Sequence, residues 1–143
     1  MAQKQLYLDY AAATPVAPEV LAAMKPYWNE HFGNPSSLHA YGKMAKKTLE
    51  QCRSRIARVL SCLPDELVFT SGGTESINLA LRGTVSARGS KKQHLISTQI
   101  EHTATLTTLA ALKKQGHAIT LIPCDQAGVV DPKAIITAIR PET

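Results

Sequence analysis

Residues 67–76 read LVFTSGGTES, and this stretch decides the fold class of the chain. Its opening, Leu67-Val68-Phe69, is a short apolar run of the kind that forms a buried strand. The glycine pair that follows predicts a turn. The apolar face of the next segment contains Ile77, Ala80, Leu81 and Val85. Because this spacing is helical, the sequence predicts a strand, a turn and a helix from Thr74 to about Arg88.

The same order of elements continues towards the end of the chain. The further predictions are a strand at 94–97, a helix at about 102–115, a strand at 118–122 and a helix at 132–140. Gly116 stands where helices often end, and Asp131 is the expected N-cap of the last helix. Such alternation indicates an α/β domain with parallel strands and right-handed crossovers. Since this kind of domain would next add another strand, we expect the sequence to be cut inside a domain.

Before residue 67 the sequence predicts helices and loops. A short extended piece at 6–9 precedes a helix that begins near Pro18, because proline suits the first helical turn. Turn-forming residues predict a loop at 33–37. The apolar stripe of the long helix after it, roughly 39–61, contains Ala45, Leu49, Cys52, Ile56 and Val59. We expect Cys52 to be a small core residue on that stripe.

Composition and charge argue against several classes of function. The net charge is +5, but the basic residues are dispersed and only 5% of the chain is aromatic, which does not favour nucleic-acid binding. The three cysteines lack the spacing of a metal site and suit a reducing cytosol. No apolar run approaches the ~20 residues that cross a bilayer, and the N-terminus lacks the apolar core of a signal peptide. We expect a soluble cytoplasmic protein.

Thr70–Ser76 carries the clearest signal of a binding site. It follows a predicted strand and opens a helix, where unpaired N–H groups and the helix dipole favour an anion. The hydroxyls of Ser71, Thr74 and Ser76 offer further hydrogen bonds, so the segment suits a phosphate group. It matches neither the P-loop nor the dinucleotide-binding pattern. A glycine turn with Thr74 as a simple N-cap and no ligand remains the alternative.

A second signal is Glu101-His102, at the start of the next predicted helix. Ligands of open parallel sheets bind beyond the carboxyl ends of the strands, and both signals lie at such ends. A phosphate at the glycine turn and an imidazole ring at His102 would together hold a planar phosphorylated cofactor. The alternative is a surface histidine near a helix end.

Four motifs in this order resemble one family. They are LDYAAATP at 8–15, FGNPSSLH at 32–39, FTSGGTES at 69–76 with Asn78, and Glu101-His102. They resemble the NifS- and IscS-like cysteine desulfurases of the class V aminotransferase family, which are fold-type I enzymes dependent on pyridoxal 5′-phosphate (PLP). The related branch that also acts on selenocysteine usually differs at the glycine turn and ranks second.

The resemblance implies roles for individual residues. Gly73 and Thr74 would bind the 5′-phosphate of PLP. His102 would stack on the pyridine ring and serve as a catalytic residue that moves protons. The substrate-pocket residues it implies are Asn34, Ala11 and Ala12. The sequence departs from many relatives at Ile77, where a polar residue is frequent, and at Thr105, where an aliphatic one is common.

The resemblance also implies an architecture and a reaction. The family fold is a homodimer whose large domain has a mostly parallel sheet with flanking helices. Residues 1–15 would lie near the small domain and the active-site rim, and residues 16–143 would form the first part of the PLP-binding large domain. The reaction would convert L-cysteine to L-alanine and leave a persulfide, whose sulfur passes to an acceptor or scaffold protein for iron–sulfur cluster or thio-cofactor assembly.

Two groups that this chemistry requires are not found in the sequence. No lysine stands in the Ser-x-His-Lys context of the family's Schiff-base lysine, and no cysteine matches the nucleophile of its mobile loop. We therefore expect a fragment that is inactive alone and poorly soluble, because half a parallel sheet leaves an unpaired edge. The alternatives are a non-catalytic or split-enzyme module that pairs with a full-length subunit, or a class V aminotransferase.

Overall fold

The computed structural model describes residues 6–89 and 91–143, which form two compact units divided between Val68 and Phe69. Residues 1–5 of the predicted N-terminal segment lie outside the described residues. The assignment of residues 1–15 and 16–143 to different parts of the family fold stays a prediction.

The first unit is helical. Its elements are α1 (Pro18–Met24), α2 (Pro26–Asn29), α3 (Ala40–Leu60) and a 3-10 turn at Pro64–Glu66. Proline occupies the first turn of α1, as predicted, because it lacks the N–H that would stay unpaired there. The side chain of His39 caps α3 by accepting a hydrogen bond from the Gly42 N–H. Ser61, in a left-handed conformation with φ of 54°, ends it, so the predicted long helix is confirmed.

The apolar stripe of α3 is only partly covered. Ala57 is 1% exposed, but Val59 is 83% exposed and Cys52 is exposed, so the prediction that Cys52 is a core residue is wrong. The physical reason is length, since α1 and α2 have 7 and 4 residues and α3 has 21. Part of the stripe lines an open cavity of about 900 Å³ instead.

The second unit is an α/β layer. Its elements are α4 (Gly73–Ala87), β1 (His94–Thr98), α5 (Thr103–Lys114), β2 (Ala118–Ile122) and α6 (Pro132–Ala138). The two strands pair in parallel, with His94 opposite Ala118. Helix α5 connects them, as a parallel pair requires. The α/β fold class with parallel pairing is therefore confirmed.

Local signals at the helix ends match the structure. Gly116 has φ of +93° after α5, the left-handed region that favours glycine. Asp131 caps α6, accepting a hydrogen bond of 2.9 Å from the Lys133 N–H. The buried side chains of this unit include Val85, Leu109, Leu112 and Ile122. Helix α4 therefore packs against α5, and α5 packs against β2.

The predicted strand at 67–69 does not form. Leu67 has extended backbone angles, so the local preference is realised. A strand also needs a ladder partner, and in the described part of the chain the sheet contains β1 and β2 alone. Val68 is 66% exposed, so the apolar run is not buried as predicted.

No helix within residues 6–89 and 91–143 is both long and apolar enough to span a bilayer.

Candidate functional site

The turn before α4 is open on the side where a ligand would approach. Gly72 is the N-cap residue and has an extended backbone. A Cβ atom built at Gly72 or Gly73 would meet no other atom within 4 Å. The backbone of this turn therefore faces free space rather than packed side chains.

Hydrogen bonds within the turn occupy two of the three predicted hydroxyls. The Ser71 N–H and hydroxyl each donate to Oε2 of Glu75 at 2.6 Å. The Ser76 hydroxyl lies 2.6 Å from that of Thr70. Ser71 and Ser76 thus hold the turn together, which differs from the expectation that they face a phosphate.

Three backbone donors remain at the start of α4. The Ser76 N–H makes the first intrahelical bond, to the Gly72 carbonyl at 3.1 Å. The N–H groups of Gly73, Thr74 and Glu75 therefore have no acceptor within the helix, as expected for a first turn. Since Gly72 is the N-cap residue, Thr74 is not a simple N-cap.

Glu75 is ionised beside this turn. The hydrogen bond from the Ser71 hydroxyl, and then that from the Ser71 N–H, lowers the pKa of the Glu75 carboxyl below its ordinary value. Both bonds stabilise the charged form, because a carboxylate accepts hydrogen bonds more strongly than a carboxylic acid. The fixed carboxylate keeps Ser71 folded back towards the helix.

His102 is the N-cap of α5. Its Nδ1 accepts a hydrogen bond of 3.1 Å from the Ala104 N–H. Because Nδ1 is an acceptor, the neutral ring carries its proton on Nε2. The ring is exposed, so Nε2 is free to face a ligand. A single side chain thus begins the helix and presents an imidazole with a defined tautomer.

One cavity of about 330 Å³ between α4 and α5 is lined by both Thr74 and His102. The other lining residues are Asn78, Arg82, Thr103, Ala104, Thr107, Thr108 and Ala111. The structure therefore brings together the two residues for which the sequence predicts the phosphate contact and the ring contact. Gly73 immediately precedes Thr74 in the same helical turn. That these residues bind PLP stays a prediction.

The sequence predicts no site role for Arg82 or Thr108, and it includes Asn78 in the phosphate-binding motif without a role of its own. Asn78 Nδ2 donates to the Thr74 carbonyl, and Asn78 Oδ1 accepts from the Thr108 hydroxyl, both at 3.0 Å. Arg82 Nε donates to the same Oδ1 at 3.0 Å. A spacing of four places Thr74, Asn78 and Arg82 on one face of α4, and this polar row was the available signal.

The predicted substrate-pocket residues belong to the first unit. Asn34 Oδ1 accepts from the Ser36 N–H at 2.9 Å, which closes a local turn. Ala11 and Ala12 lie in an exposed turn, where the Ala12 N–H donates to the Asp9 carbonyl at 3.1 Å. Their position near a substrate stays a prediction.

Solved structures with this fold include relatives of similar sequence. A structure described as a NifS-like protein superposes with a TM-score of 0.92 at 34% identity, covering 97% of this chain and 38% of its own. A structure of SspA in complex with cysteine superposes with a TM-score of 0.87 at 41% identity, covering 95% and 39%. The chain therefore shares its fold with these proteins.

Curated relatives match nearly the whole chain. A cysteine desulfurase IscS of Dictyoglomus turgidum is 44% identical over 141 residues, 99% of this chain and 36% of the relative. A cysteine desulfurase of Homo sapiens is 40% identical over 141 residues, 98% and 31%. The chain spans about a third of the length of these relatives. The sequence profile of the class V aminotransferases matches residues 6–143. The chain thus belongs to the class V aminotransferase family, as a homologue of its IscS- and NifS-type cysteine desulfurases.

Proposed function

We propose that this chain supplies the phosphate-binding and ring-stacking residues of a PLP-dependent cysteine desulfurase. The observation that carries the proposal is the single cavity lined by Thr74 and His102. The match to cysteine desulfurases along nearly the whole chain supports the same activity. The reaction would convert L-cysteine to L-alanine, and SspA, a structural relative, has been solved in complex with cysteine.

The residues around the cavity suit the chemical groups of PLP. The N–H groups of Gly73, Thr74 and Glu75, with the Thr74 hydroxyl, would donate hydrogen bonds to the phosphate at the positive end of the α4 dipole. The cavity of about 330 Å³ has room for a small planar ring. When bound, the cofactor would supply an electron sink for breaking bonds of the substrate amino acid.

His102 would contribute both orientation and a proton. Its Nδ1 is engaged by the Ala104 N–H, so the ring plane is held against rotation. Nε2 is then the atom that carries a proton towards the cavity or takes one from it. The ring would cover one face of the cofactor, and Nε2 would move the proton.

The same proposal includes the oligomeric state of the protein, its location in the cell and the destination of the sulfur. The protein would act as a cytoplasmic homodimer and pass persulfide sulfur to an acceptor or scaffold protein for iron–sulfur cluster or thio-cofactor assembly. The Schiff-base lysine and the nucleophilic cysteine are assigned to no residue of this sequence. We accordingly expect the 143-residue chain to bind the cofactor through the cavity without releasing sulfide from L-cysteine.

Equilibrium dialysis of the chain against PLP and against pyridoxal, which lacks the phosphate, tests this assignment. Thr74→Val should weaken PLP binding by about tenfold to a hundredfold and leave pyridoxal binding unchanged, since a hydrogen bond to a charged group contributes roughly 1.5–3 kcal/mol. His102→Asn keeps an N-cap acceptor but removes the ring, so it should weaken the binding of both ligands.

Thr137→Val is the matched control for the phosphate contact. Thr137 lies in α6 and is not among the residues that line the cavity. Its hydroxyl donates to the Lys133 carbonyl at 2.8 Å. This variant should bind PLP like the unmodified chain. Equal affinity for PLP and pyridoxal, or no effect of Thr74→Val, would contradict the proposed phosphate site.

A further inference from the structure

We infer that Asn78 is a positioning residue that links the phosphate-binding turn of α4 to α5 through Thr108. This link would set the separation between Thr74 and His102, which line the same cavity. The inference rests on the proposed function for the identity of the ligand, but the link itself is a property of the chain.

The link consists of two hydrogen bonds, one of which joins residues 30 positions apart. Asn78 Nδ2 donates to the Thr74 carbonyl in the first turn of α4, and the Thr108 hydroxyl donates to Asn78 Oδ1, both at 3.0 Å. Thr108 is 3% exposed, so its hydroxyl is shielded from water. A buried hydroxyl without a partner is costly, so this bond constrains how α4 and α5 pack.

The orientation of the Asn78 amide is determined by its three partners. Its oxygen accepts from Thr108 and from Arg82 Nε, and its nitrogen donates to Thr74. If the amide were reversed, its NH₂ group would face the Arg82 N–H and its oxygen would face the Thr74 carbonyl. Both contacts would then pair like groups, so only the observed orientation satisfies the network.

The two ends of the link lie close to the residues that would hold the ligand. Thr74 supplies the carbonyl of the link and lines the cavity, and under the proposed function its own N–H and hydroxyl would contact the phosphate. Thr108 lies six residues after His102, about 9 Å along the helix at 1.5 Å per residue. A change at Asn78 or Thr108 would therefore alter the relative position of the two ligand contacts.

The test compares three single variants of the 143-residue chain and the double variant Asn78→Ala/Thr108→Val. Thr108→Val keeps the shape of the buried side chain and removes its hydroxyl, and Asn78→Ala removes the whole link. Thr120→Val is the matched control, because the Thr120 hydroxyl makes a part-buried bond of 2.8 Å with His94 Nε2 away from the cavity. Each is measured by amide hydrogen exchange without ligand and by equilibrium dialysis against PLP.

Both link variants should accelerate exchange in the first turns of α4 more than in β1 and β2, since local opening is distinct from global unfolding. Both should raise the Kd for PLP, by roughly threefold to tenfold for a lost hydrogen bond. Thr120→Val should leave the Kd within about twofold of the unmodified value. The double variant should raise the Kd by less than the two single variants would predict together, because both changes break the same bond between Asn78 and Thr108.

Three results would overturn the link. In the first, Thr108→Val leaves both the α4 exchange and the Kd unchanged. In the second, the link variants and Thr120→Val change exchange uniformly and to the same extent. In the third, Asn78→Ala alone weakens binding, which would assign Asn78 a direct ligand contact. If the unmodified chain binds no PLP, the proposed function fails, and the exchange measurement still decides whether the link exists.

Discussion

At the scale of single residues, the candidate site contains side chains that shape the backbone and would, under the proposed function, also contact a ligand. His102 caps α5 through Nδ1, and its Nε2 would be the atom that moves a proton. Glu75 closes the turn through Ser71 while its own N–H stays unpaired in the first helical turn. Because one residue does both, a substitution here changes the shape of the turn and its binding properties at once.

The titration of Glu75 is one prediction at this scale. Ser71→Ala removes the hydroxyl bond that contributes most to the lowered pKa, so the pKa of Glu75 should rise towards its ordinary value. Carboxyl-carbon NMR over a pH series measures this change. Ser54→Ala, which removes a hydroxyl bonded to a carbonyl on α3, is the control and should leave Glu75 unchanged. A Glu75 titration that does not respond to Ser71→Ala would contradict the hydrogen-bond network.

The same carboxylate predicts a pH dependence of the turn. In the folded chain the pKa of Glu75 lies below the ordinary value of 4.5. The stabilisation of the turn by the ionised carboxylate is therefore present above pH 4.5 and is lost as the pH falls through the folded-state pKa. Amide exchange at Ser71, whose N–H donates to the Glu75 carboxylate, should therefore become faster than expected in acid. Glu75→Gln should abolish this acid-dependent acceleration of exchange. If the variant kept the same acid response, the role of the Glu75 carboxylate would be disproved.

At the scale of elements, α3 and the loop before it meet at a glycine. A Cβ at Gly42 would clash with the Ser37 carbonyl and approach the Asn34 carbonyl at 2.7 Å. Both are backbone atoms, which cannot rotate away as a long side chain can. The Gly-Asn-Pro-Ser-Ser loop thus requires glycine three residues into the helix.

Two glycine substitutions in helices should therefore have opposite effects. Gly42→Ala should destabilise the first unit, by about 1–3 kcal/mol if overpacking is typical. Gly83→Ala on α4 meets no atom within 4 Å and should stabilise that helix by about 0.5–1 kcal/mol. Urea denaturation measures both free energies of unfolding. If the two variants changed stability in the same direction, the close approach at Gly42 would be wrong.

At the scale of the whole molecule, apolar side chains remain on the surface. Leu38 is 88% exposed and Val59 is 83% exposed, and much of the α3 stripe is open. The sheet of the described residues has two strands, so each strand has an unpaired edge. Exposed apolar patches and strand edges favour association.

We therefore expect the chain to associate as its concentration rises. Light scattering should give masses above the 15.5 kDa of a single chain. Val59→Lys should reduce the association, because it places a charge on the exposed part of the stripe. Gln51→Lys adds the same charge to an exposed polar position of α3 and should have a smaller effect. A monomer at all concentrations would show that the exposed stripe is tolerated.

Much of the candidate site was predictable, because its signals are local. Pro18, Gly116 and Asp131 mark helix ends through contacts within a few residues, and they do so in the structure. Thr74 and His102 were predicted on neighbouring βα units and line one cavity. Helix caps and helical periodicity depend on residues only a few positions apart, so they can be predicted from the sequence.

By itself the sequence determined the family, the parallel strands and the two ends of the candidate site. Only the tertiary structure decided that Cys52 is exposed, that 67–69 lies outside the sheet, and that Asn78 reaches Thr108. The reason is physical: caps and periodicity act over about four residues. Burial, strand pairing and the contact between α4 and α5 depend on partners that are distant in the chain and meet only when it folds.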